Sequence, residues 1–539
     1  MERVFSRIDR HIRGTMSSRG IPGLAIALTD ADRTLWVGTY GHADISARTP
    51  VRNDTLFQIG SISKSFASMV ILQMQEKGLL KIDDPISRHL PWLRIKSRYG
   101  PITLKHLMSH SGGIMVGTDF TLSGYSEAKA LNETAVDIRP GSFFHYSNSG
   151  YKVLGLVIEE ILGTDNGSAI EERILRPLGM KASKGSITND LREATATGYA
   201  PVFDDRPAPV RCPLAPAPWI ESFTADGSIT STAPDMAKYV RMLLNRGRGP
   251  AGRILSEHSF SSMIENVVHP NDAPPSDGYG LGLDIMQKDG HLVIGHSGGM
   301  LGFVSYIEAD MDAGFGLAAF TNVSRASYRP EDLVRLAATS IRAAIEGRPM
   351  PKLPEDYDAN QVENAKDYAG TYRSGGRTLR VRARRQRLFL EHDSHIVPME
   401  RLEKDSFYAD SDGFELFPLR FGRDKDEVVE VFHGSDWYYG QPYKGRKSFR
   451  TPKAWDSYVG HYRTYNPWYS NFRVVVRKGE LALTRPDGSE EMLTPLKAGW
   501  FRVGTDKRSP ERIRFDVLYG GKAMRATMPG SEWWRTAAP

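Results

Sequence analysis

Residues 57–78 read FQIGSISKSFASMVILQMQEKG, and this stretch determines the fold of the first half of the chain. Phe57 to Gly60 has the pattern of a strand that ends at a glycine. From Ser63 to Lys77, apolar residues recur at helical spacing, and Gly78 follows where a helix would stop. The pattern predicts a strand, a break and an amphipathic helix, with Ser61 at the helix N-terminus.

Ser61 and Lys64 are candidate catalytic residues because three positions separate them, which places both side chains on one helical face. A lysine whose pKa is lowered by burial or by neighbouring cations can take the proton of a serine hydroxyl. The spacing alone is not specific, since Ser126/Lys129 and Ser149/Lys152 share it. The alternative is a serine that caps the helix beside a solvated lysine.

Length and composition limit the number of domains, the kinds of partner and the cellular compartment to be expected. The 539 residues suggest about three or four domains. The net charge of +6, from 70 basic and 64 acidic residues, does not indicate nucleic acid or an anionic membrane as partner. In the basic run Arg377–Arg387, basic residues alternate with apolar ones, as in a strand whose basic side chains face solvent. With one cysteine, Cys212, no apolar stretch near 18 residues and no signal-peptide pattern, we expect a cytoplasmic protein.

Local patterns place further elements before residue 345. Gly23–Leu28 and Thr34–Val37 are predicted to form a hairpin, and Thr103–Ser109 a short helix. A second helix is predicted after Thr232, where a hydroxyl cap, an early proline and an acidic residue follow one another. The proline-rich segment Pro207–Pro218 is predicted to be an irregular surface loop.

Beyond a linker at 349–359, helical signals nearly vanish and an internal repeat appears. Asp367-Tyr-Ala-Gly-Thr-Tyr-Arg373 matches Ser457-Tyr-Val-Gly-His-Tyr-Arg463, and alternating strand patterns follow each copy. Short strands at this rhythm are typical of antiparallel barrels. We therefore predict a domain of mixed strands and helices at 1–348 and two related β-barrel domains at 360–450 and 452–539. A single large β-sandwich is the alternative for the C-terminal half.

Two more short segments carry residue types suited to hydrolysis: Tyr146-Ser-Asn148 and His296-Ser-Gly298-Gly299. Their order after Ser61 and Lys64 resembles the serine β-lactamase and penicillin-binding-protein superfamily. Within it, the match is to the branch of class C β-lactamases, alkaline D-peptidases, D-aminopeptidases and family VIII esterases. Flanking segments resemble that branch too: His106–Gly113, Ala225–Ala233 and Tyr279–Leu283.

The resemblance implies a multidomain fold class: an α/β β-lactamase-like domain with an all-helical subdomain, its antiparallel sheet flanked by helices, and then the two barrels. It implies that Ser61 is the nucleophile and that Lys64 takes or relays the proton. Tyr146 would be the other base, or the acid for the leaving group. Asn148 would hold Lys64 and a substrate amide, and the N–H groups of Ser61 and Gly299 would form the oxyanion hole.

The third segment departs from the family pattern, because β-lactamases and DD-peptidases usually carry Lys-Thr-Gly where this chain has His296-Ser-Gly298. A fixed cation there would bind a carboxylate, whereas an ordinary histidine is mostly neutral at pH 7. The departure favours a substrate without a carboxylate next to the scissile bond: an ester, an amide or the N-terminal residue of a peptide. One catalytic domain followed by two related barrels resembles the D-aminopeptidases, so the first hypothesis is a peptidase or amidase of that type, which releases an N-terminal residue or trims small peptides. A carboxylesterase of short acyl esters is the alternative. A β-lactamase, a DD-carboxypeptidase or a dead scaffold that binds or senses ranks lower.

The remaining expectations concern ligands and access. No metal or cofactor is expected; His106 and His110 are four apart, but structural hydrogen bonds are the simpler account of them. The expected partner is a small peptide, amide or ester, bound by His296 and Asn148, and a homo-oligomer is compatible with the sequence. By analogy with the D-aminopeptidases, the loop Tyr465-Asn-Pro-Trp-Tyr469 is either a lid over the active site or an exposed hairpin loop.

Overall fold

An antiparallel sheet of eight strands organises the N-terminal unit, in the computed structural model that describes residues 2–117, 124–271, 273–324, 328–392 and 394–537. The first strand after the N-terminal helix pairs with the last, so the sheet unites distant parts of the chain. In spatial order its strands are Gly278–Tyr279, Asp284–Lys288, His291–Met300, Phe303–Asp310, Phe315–Thr321, Gly23–Asp30, Thr34–Asp44 and Thr49–Pro50.

Helices cover both faces of this sheet. Successive side chains of Gly23–Asp30 point to opposite faces, as in any strand. Leu24, Ile26 and Leu28 pack against the terminal helices Glu2–Arg19 and Pro330–Ile345. The two alanines between them face the larger core on the opposite side. That core also holds the helices Ser63–Glu76, Ile86–His89, Leu104–Met108, Gly124–Ala130, Asn148–Leu162, Asn166–Ile170, Ala233–Leu244 and Glu257–Met263.

Most local predictions hold with shifted ends. The predicted helix at 63–77 spans Ser63–Glu76, and the second hairpin strand runs on to Asp44. Thr232 caps the helix Ala233–Leu244 by accepting a hydrogen bond from the Asp235 N–H. The loop predicted at 207–218 is not wholly irregular, because Leu214–Pro216 pairs with Tyr199–Pro201. Because the pairing joins segments that are separated in the sequence, no local sequence pattern predicts it.

Two closed antiparallel barrels of eight strands follow, so the alternative of one β-sandwich is wrong. The strands of the first barrel are Gly370–Ser374, Arg377–Arg384, Arg387–His392, His395–Glu403, Ser406–Ala409, Leu419–Asp424, Glu427–His433 and Asp436–Tyr439. The strands of the second barrel are Gly460–Arg463, Asn471–Arg477, Glu480–Thr484, Glu490–Lys497, Trp500–Val503, Arg512–Tyr519, Lys522–Met528 and Ser531–Arg535. In each barrel the last strand pairs with the first.

The repeated segments occupy equivalent places in the two barrels. The Tyr372 hydroxyl donates to the Tyr368 carbonyl at 2.8 Å, and the Tyr462 hydroxyl donates to the Tyr458 carbonyl at 2.8 Å. The residues of the internal repeat therefore form the same hydrogen bond at the start of each barrel.

Candidate active site

Ser61 lies in a tight turn, Gly60–Ile62, that leads directly into the helix Ser63–Glu76. Gly60 has φ of +55°, and a Cβ added there would lie 2.6 Å from the main-chain nitrogen of Gly299. A Cβ on Gly298 would lie 2.0 Å from the carbonyl oxygen of Ile59. Two glycines thus let the turn and the strand His291–Met300 approach each other.

The close approach of the turn and the strand does not require a glycine at position 299. A Cβ at Gly299 would meet no atom within 4 Å, so the close approach depends on Gly298 and Gly60 instead. Gly299 lines the cavity that contains Ser61. Its N–H is therefore near the nucleophile candidate without steric need for glycine at that position.

Lys64 is fully buried and contacts the Ser61 side chain. Its Nζ donates to Ser61 Oγ at 2.9 Å and to the main-chain oxygen of Asp226 at 2.9 Å. The solvated-lysine alternative is therefore wrong. The same Nζ lies 4.9 Å from the centroid of the Tyr146 ring. The predicted serine, lysine and tyrosine are thus in mutual contact.

Tyr146 lies beside this group, and the Ser61 side chain is among the groups that influence its pKa. Burial raises the pKa of Tyr146 well above the usual value for tyrosine, and the Ser61 side chain acts in the opposite direction. The phenol therefore keeps its proton at neutral pH. Its ring also contacts the His110 ring at a tilt of 36°, with the centroids 4.2 Å apart.

His296 is buried on the strand His291–Met300, and its protonation follows from its partners. Its Nδ1 faces the Ser297 carbonyl, which only accepts, so Nδ1 carries the hydrogen. The Tyr279 hydroxyl then donates to Nε2 at 3.0 Å. Burial, with the Lys64 charge, lowers the pKa of His296 to about 4. The residue is neutral at pH 7 and supplies no fixed cation.

A cavity of about 80 Å³ contains Ser61, and Asn148 lines it at the first turn of the helix Asn148–Leu162. Pro467 and Trp468 of the second barrel also line this cavity. The loop that bears them is held at its base, because Arg463 forms an ion pair with Asp204 at 2.6 Å. Pro467 and Trp468 of the predicted loop at 465–469 therefore line the cavity, whereas Tyr465 of the same loop is fully exposed.

A second contact from the same barrel reaches the segment beside Tyr146. Glu511 accepts from the Val116 N–H at 2.7 Å and from His145 Nε2 at 2.8 Å. His145 directly precedes Tyr146. The second barrel therefore contacts both the cavity and the residue next to the phenol.

Sequence reasoning missed several residues around the cavity. Asp226 and Tyr279 lie inside segments quoted for their family resemblance, yet neither was assigned a role. Lys152 was set aside as a chance match, but it is buried, lines the cavity and pairs with Glu127 at 2.8 Å. The helical spacing of Asn148 and Lys152 was an available signal; the barrel contacts had none in the local sequence.

His106 and His110 have structural partners. His106 Nδ1 accepts from the Thr103 N–H at 3.1 Å, which closes a capping box, and His110 Nδ1 accepts from the Ser147 N–H at 3.0 Å. Within the described ranges, no group of three or more His, Cys, Asp or Glu residues has an arrangement that could hold a metal ion. No helix in that part of the chain is long and apolar enough to cross a bilayer.

A serine hydroxyl bound to a buried lysine, on a helix-covered antiparallel sheet, defines the class of β-lactamase-fold serine hydrolases. The chain belongs to the beta-lactamase family, whose profile matches residues 8–341. "Penicillin-binding protein 4" of Amycolatopsis lactamdurans is 28% identical over 373 residues, which cover 66% of this chain and 94% of the relative.

Solved structures share the fold. The octameric penicillin-binding protein homologue from Pyrococcus abyssi is 25% identical with a TM-score of 0.59, and the match covers 80% of this chain and 99% of that one. A class C beta-lactamase is 20% identical with a TM-score of 0.54, over 63% of this chain and 96% of its own. The first match extends past the N-terminal unit into the barrel region.

Proposed function

We propose that the protein is a serine peptidase or amidase of the D-aminopeptidase type, which acts through an acyl-enzyme on Ser61. The observation that carries the proposal is the 2.9 Å contact between Lys64 Nζ and Ser61 Oγ inside a cavity partly walled by Trp468. A contact of this kind activates a serine hydroxyl. The small cavity suits one residue or a short peptide end.

The remaining residues fit distinct steps. Ser61 Oγ attacks the carbonyl carbon while Lys64, in its uncharged amine form for this step, accepts or relays the hydroxyl proton. The main-chain N–H groups of Ser61 and Gly299 stabilise the oxyanion. Tyr146 keeps its proton at neutral pH, so it can give that proton to the leaving amine, and the phenolate that results can take a proton from the attacking water. Asn148, on the cavity wall, is placed to bind a substrate amide.

The neutral state of His296 supports a substrate without a carboxylate beside the scissile bond. A pKa of about 4 leaves no positive charge at neutral pH where the related β-lactamases and DD-peptidases have lysine. The same observation suits an esterase of short acyl esters, which is the second candidate. The octameric relative from Pyrococcus abyssi supports self-association as a further proposal, for which sedimentation velocity is the measurement.

Labelling and substrate comparison test the proposal. A fluorophosphonate probe should modify Ser61, detected by mass spectrometry of the peptide, and Ser61→Ala should not be labelled. The wild type should hydrolyse an amino-acid p-nitroanilide, and Ser61→Ala should lose about 10⁴-fold or more in kcat/KM. Hydrolysis of p-nitrophenyl acetate and butyrate without any anilide cleavage would replace the peptidase assignment by the esterase. Equal labelling of wild type and Ser61→Ala would refute the nucleophile.

A further inference from the structure

Asp226 lines the candidate active-site cavity and has a buried carboxylate oxygen without a hydrogen-bond donor in the described part of the chain. The residue is only 7% exposed, and it lines the cavity that contains Ser61. Among the residues that the structure describes, none donates a hydrogen bond to its Oδ1. Burial of a carboxylate without donors costs free energy, so such an oxygen calls for a ligand or another specific reason.

The backbone of Asp226 is fixed beside the reacting atoms. Its main-chain oxygen accepts from Lys64 Nζ at 2.9 Å, and that nitrogen contacts Ser61 Oγ at 2.9 Å. The Asp226 charge also contributes to the raised pKa of Tyr146. One residue therefore adjoins the lysine, the nucleophile candidate and the phenol.

The other charged residues along the wall have partners within the protein. Lys152 pairs with Glu127 at 2.8 Å, and both side chains are 2% exposed. Glu221 accepts from the Asn189 N–H at 3.0 Å. Asp226 is therefore the acidic residue of the lining that keeps a carboxylate oxygen without a donor within the described ranges, and such an oxygen is complementary to a cation rather than to a carboxylate.

We propose that Asp226 binds the primary ammonium group of the substrate's N-terminal residue, so that it determines specificity for free amines. The inference rests on the proposed function. In an amino-acid amide the ammonium is two covalent bonds from the attacked carbonyl carbon, so it must lie close to Ser61 Oγ. Asp226 lines the same cavity as Ser61, so its carboxylate is the group we assign to that ammonium. Neutral groups at the same carbon, such as N-acetyl or hydroxyl, leave Asp226 unpaired.

A matched set of substrates tests the inference. The kcat/KM for D-alanine p-nitroanilide and L-alanine p-nitroanilide is compared with that for the N-acetylated compounds and for p-nitrophenyl acetate. In the wild type the free amine should be preferred. Asp226→Asn should reduce that preference at least about 10-fold, because a charge-assisted bond to the ammonium is lost. Glu221→Gln is the control, in which the preference should change less than about 2-fold, since Glu221 is already bound to a backbone N–H.

A second measurement does not depend on amide cleavage. D-Alaninol carries the ammonium but no scissile bond, and it should inhibit ester hydrolysis by the wild type competitively. Inhibition should weaken at least about 10-fold in Asp226→Asn. Fluorophosphonate labelling of Ser61 in the variant confirms that its site is folded, and Asp226→Ala provides a second variant if the first is not.

The outcomes separate the inference from the function on which it rests. If the wild type cleaves anilides but Asp226→Asn loses the same factor on every substrate, Asp226 acts only through Lys64 and the inference is overturned. If the wild type cleaves only esters, the peptidase proposal fails. In that case the inference is overturned as well if D-alaninol inhibits Asp226→Asn as strongly as it inhibits the wild type.

Discussion

The two barrels share one topology but differ in what their first hairpin does. In the first barrel, Ser374 pairs with Arg377 across the two-glycine turn Gly375-Gly376, which meets no other part of the protein within 4 Å of an added Cβ. In the second barrel, the equivalent strands pair at Arg463 and Asn471, and residues 464–470 extend from them to the active-site cavity. The same scaffold thus carries a structural turn in one copy and part of the substrate wall in the other.

The bases of the two hairpins explain this difference. Arg463 and Asn471 both bind Asp204 of the N-terminal unit, through an ion pair and through a hydrogen bond of 2.8 Å to its main-chain oxygen. The corresponding strand of the first barrel has Arg377 paired within its own barrel, with Asp436 at 2.7 Å. The first hairpin of the second barrel is therefore fixed to the N-terminal unit, whereas Arg377 in that of the first barrel pairs within its own barrel.

Replacement of residues 464–470 by Gly-Gly would break the comparison by giving both barrels the short turn. Without Trp468 the cavity opens, so the preference for small over large substrates should fall about 100-fold, the scale on which apolar pocket contacts discriminate. The ratio of kcat/KM for p-nitrophenyl acetate and decanoate measures it. Gly375→Asn in the first barrel is the control and should leave the ratio as it is. An unchanged ratio in the loop variant would show that Trp468 does not limit access.

Acidification tests the comparison because it should destabilise the N-terminal unit. Of the two hairpins compared, only the second-barrel loop is anchored to that unit. The folded pKa of His296 is about 4, below the unfolded value of about 6.5, so the unfolded chain binds the proton more tightly. The stability contribution is complete above pH 6.5 and is lost as the pH falls toward 4, by about 3 kcal/mol.

Hydrogen exchange between pH 6.5 and pH 4, corrected for the intrinsic rate, measures this effect. Exchange in the loop at 464–470 should accelerate in the wild type, and His296→Gln should flatten that dependence. The hairpin at 370–384 in the first barrel should respond equally in both proteins. Identical pH profiles for the loop in wild type and variant would contradict the expectation.

Matched glutamates test the contacts that each barrel makes with the N-terminal unit. Glu511 of the second barrel accepts from Val116 and His145, while Glu400 of the first accepts from the Val210 N–H at 2.9 Å. Glu511→Gln should lower kcat about 10-fold with little change in KM, because the weaker bond to His145 displaces Tyr146. Glu400→Gln should change kcat less than 2-fold. Equal losses would mean that both glutamates serve only to dock the barrels.

The smallest expected effects concern the equivalent hydrogen bonds that the Tyr372 and Tyr462 hydroxyls donate, one in each barrel. Tyr372→Phe should cost about 1 kcal/mol of unfolding free energy, the usual value for one hydrogen bond. Tyr462→Phe should cost about 2 kcal/mol, because Arg535 Nη2 also donates to its hydroxyl at 2.8 Å. Urea unfolding of both variants compares them, and a larger loss for Tyr372→Phe would contradict equivalent folding of the repeats.

Much of the fold was predictable because its signals are local. The helix after Ser61, the cap at Thr232 and the repeat around Tyr372 and Tyr462 follow from apolar spacing, capping residues and tyrosine–glycine patterns within a few positions of each other. Closure into barrels followed from strand rhythm. The short strand at Leu214–Pro216 was missed because its partner lies in a segment without strand character.

The site was predictable only where the family motifs extend. Ser61, Lys64 and Tyr146 converge as the motif order implied, and the neutral His296 agrees with its unperturbed chemistry. The involvement of Glu511 had no sequence signal, because its partners Val116 and His145 lie hundreds of residues away. Asp226 was hidden for another reason: its significance depends on a carboxylate oxygen without a donor, and hydrogen-bond satisfaction is a property of the folded chain.

The Gly375-Gly376 turn of the first barrel also has a use in protein engineering. A foreign peptide inserted at an unobstructed hairpin turn is accommodated when the flanking strands keep their pairing. Here that turn belongs to the barrel whose hairpin takes no part in the cavity. An affinity tag or a fluorescent reporter displayed at this position would mark or immobilise the enzyme while its substrate entrance stays as it is.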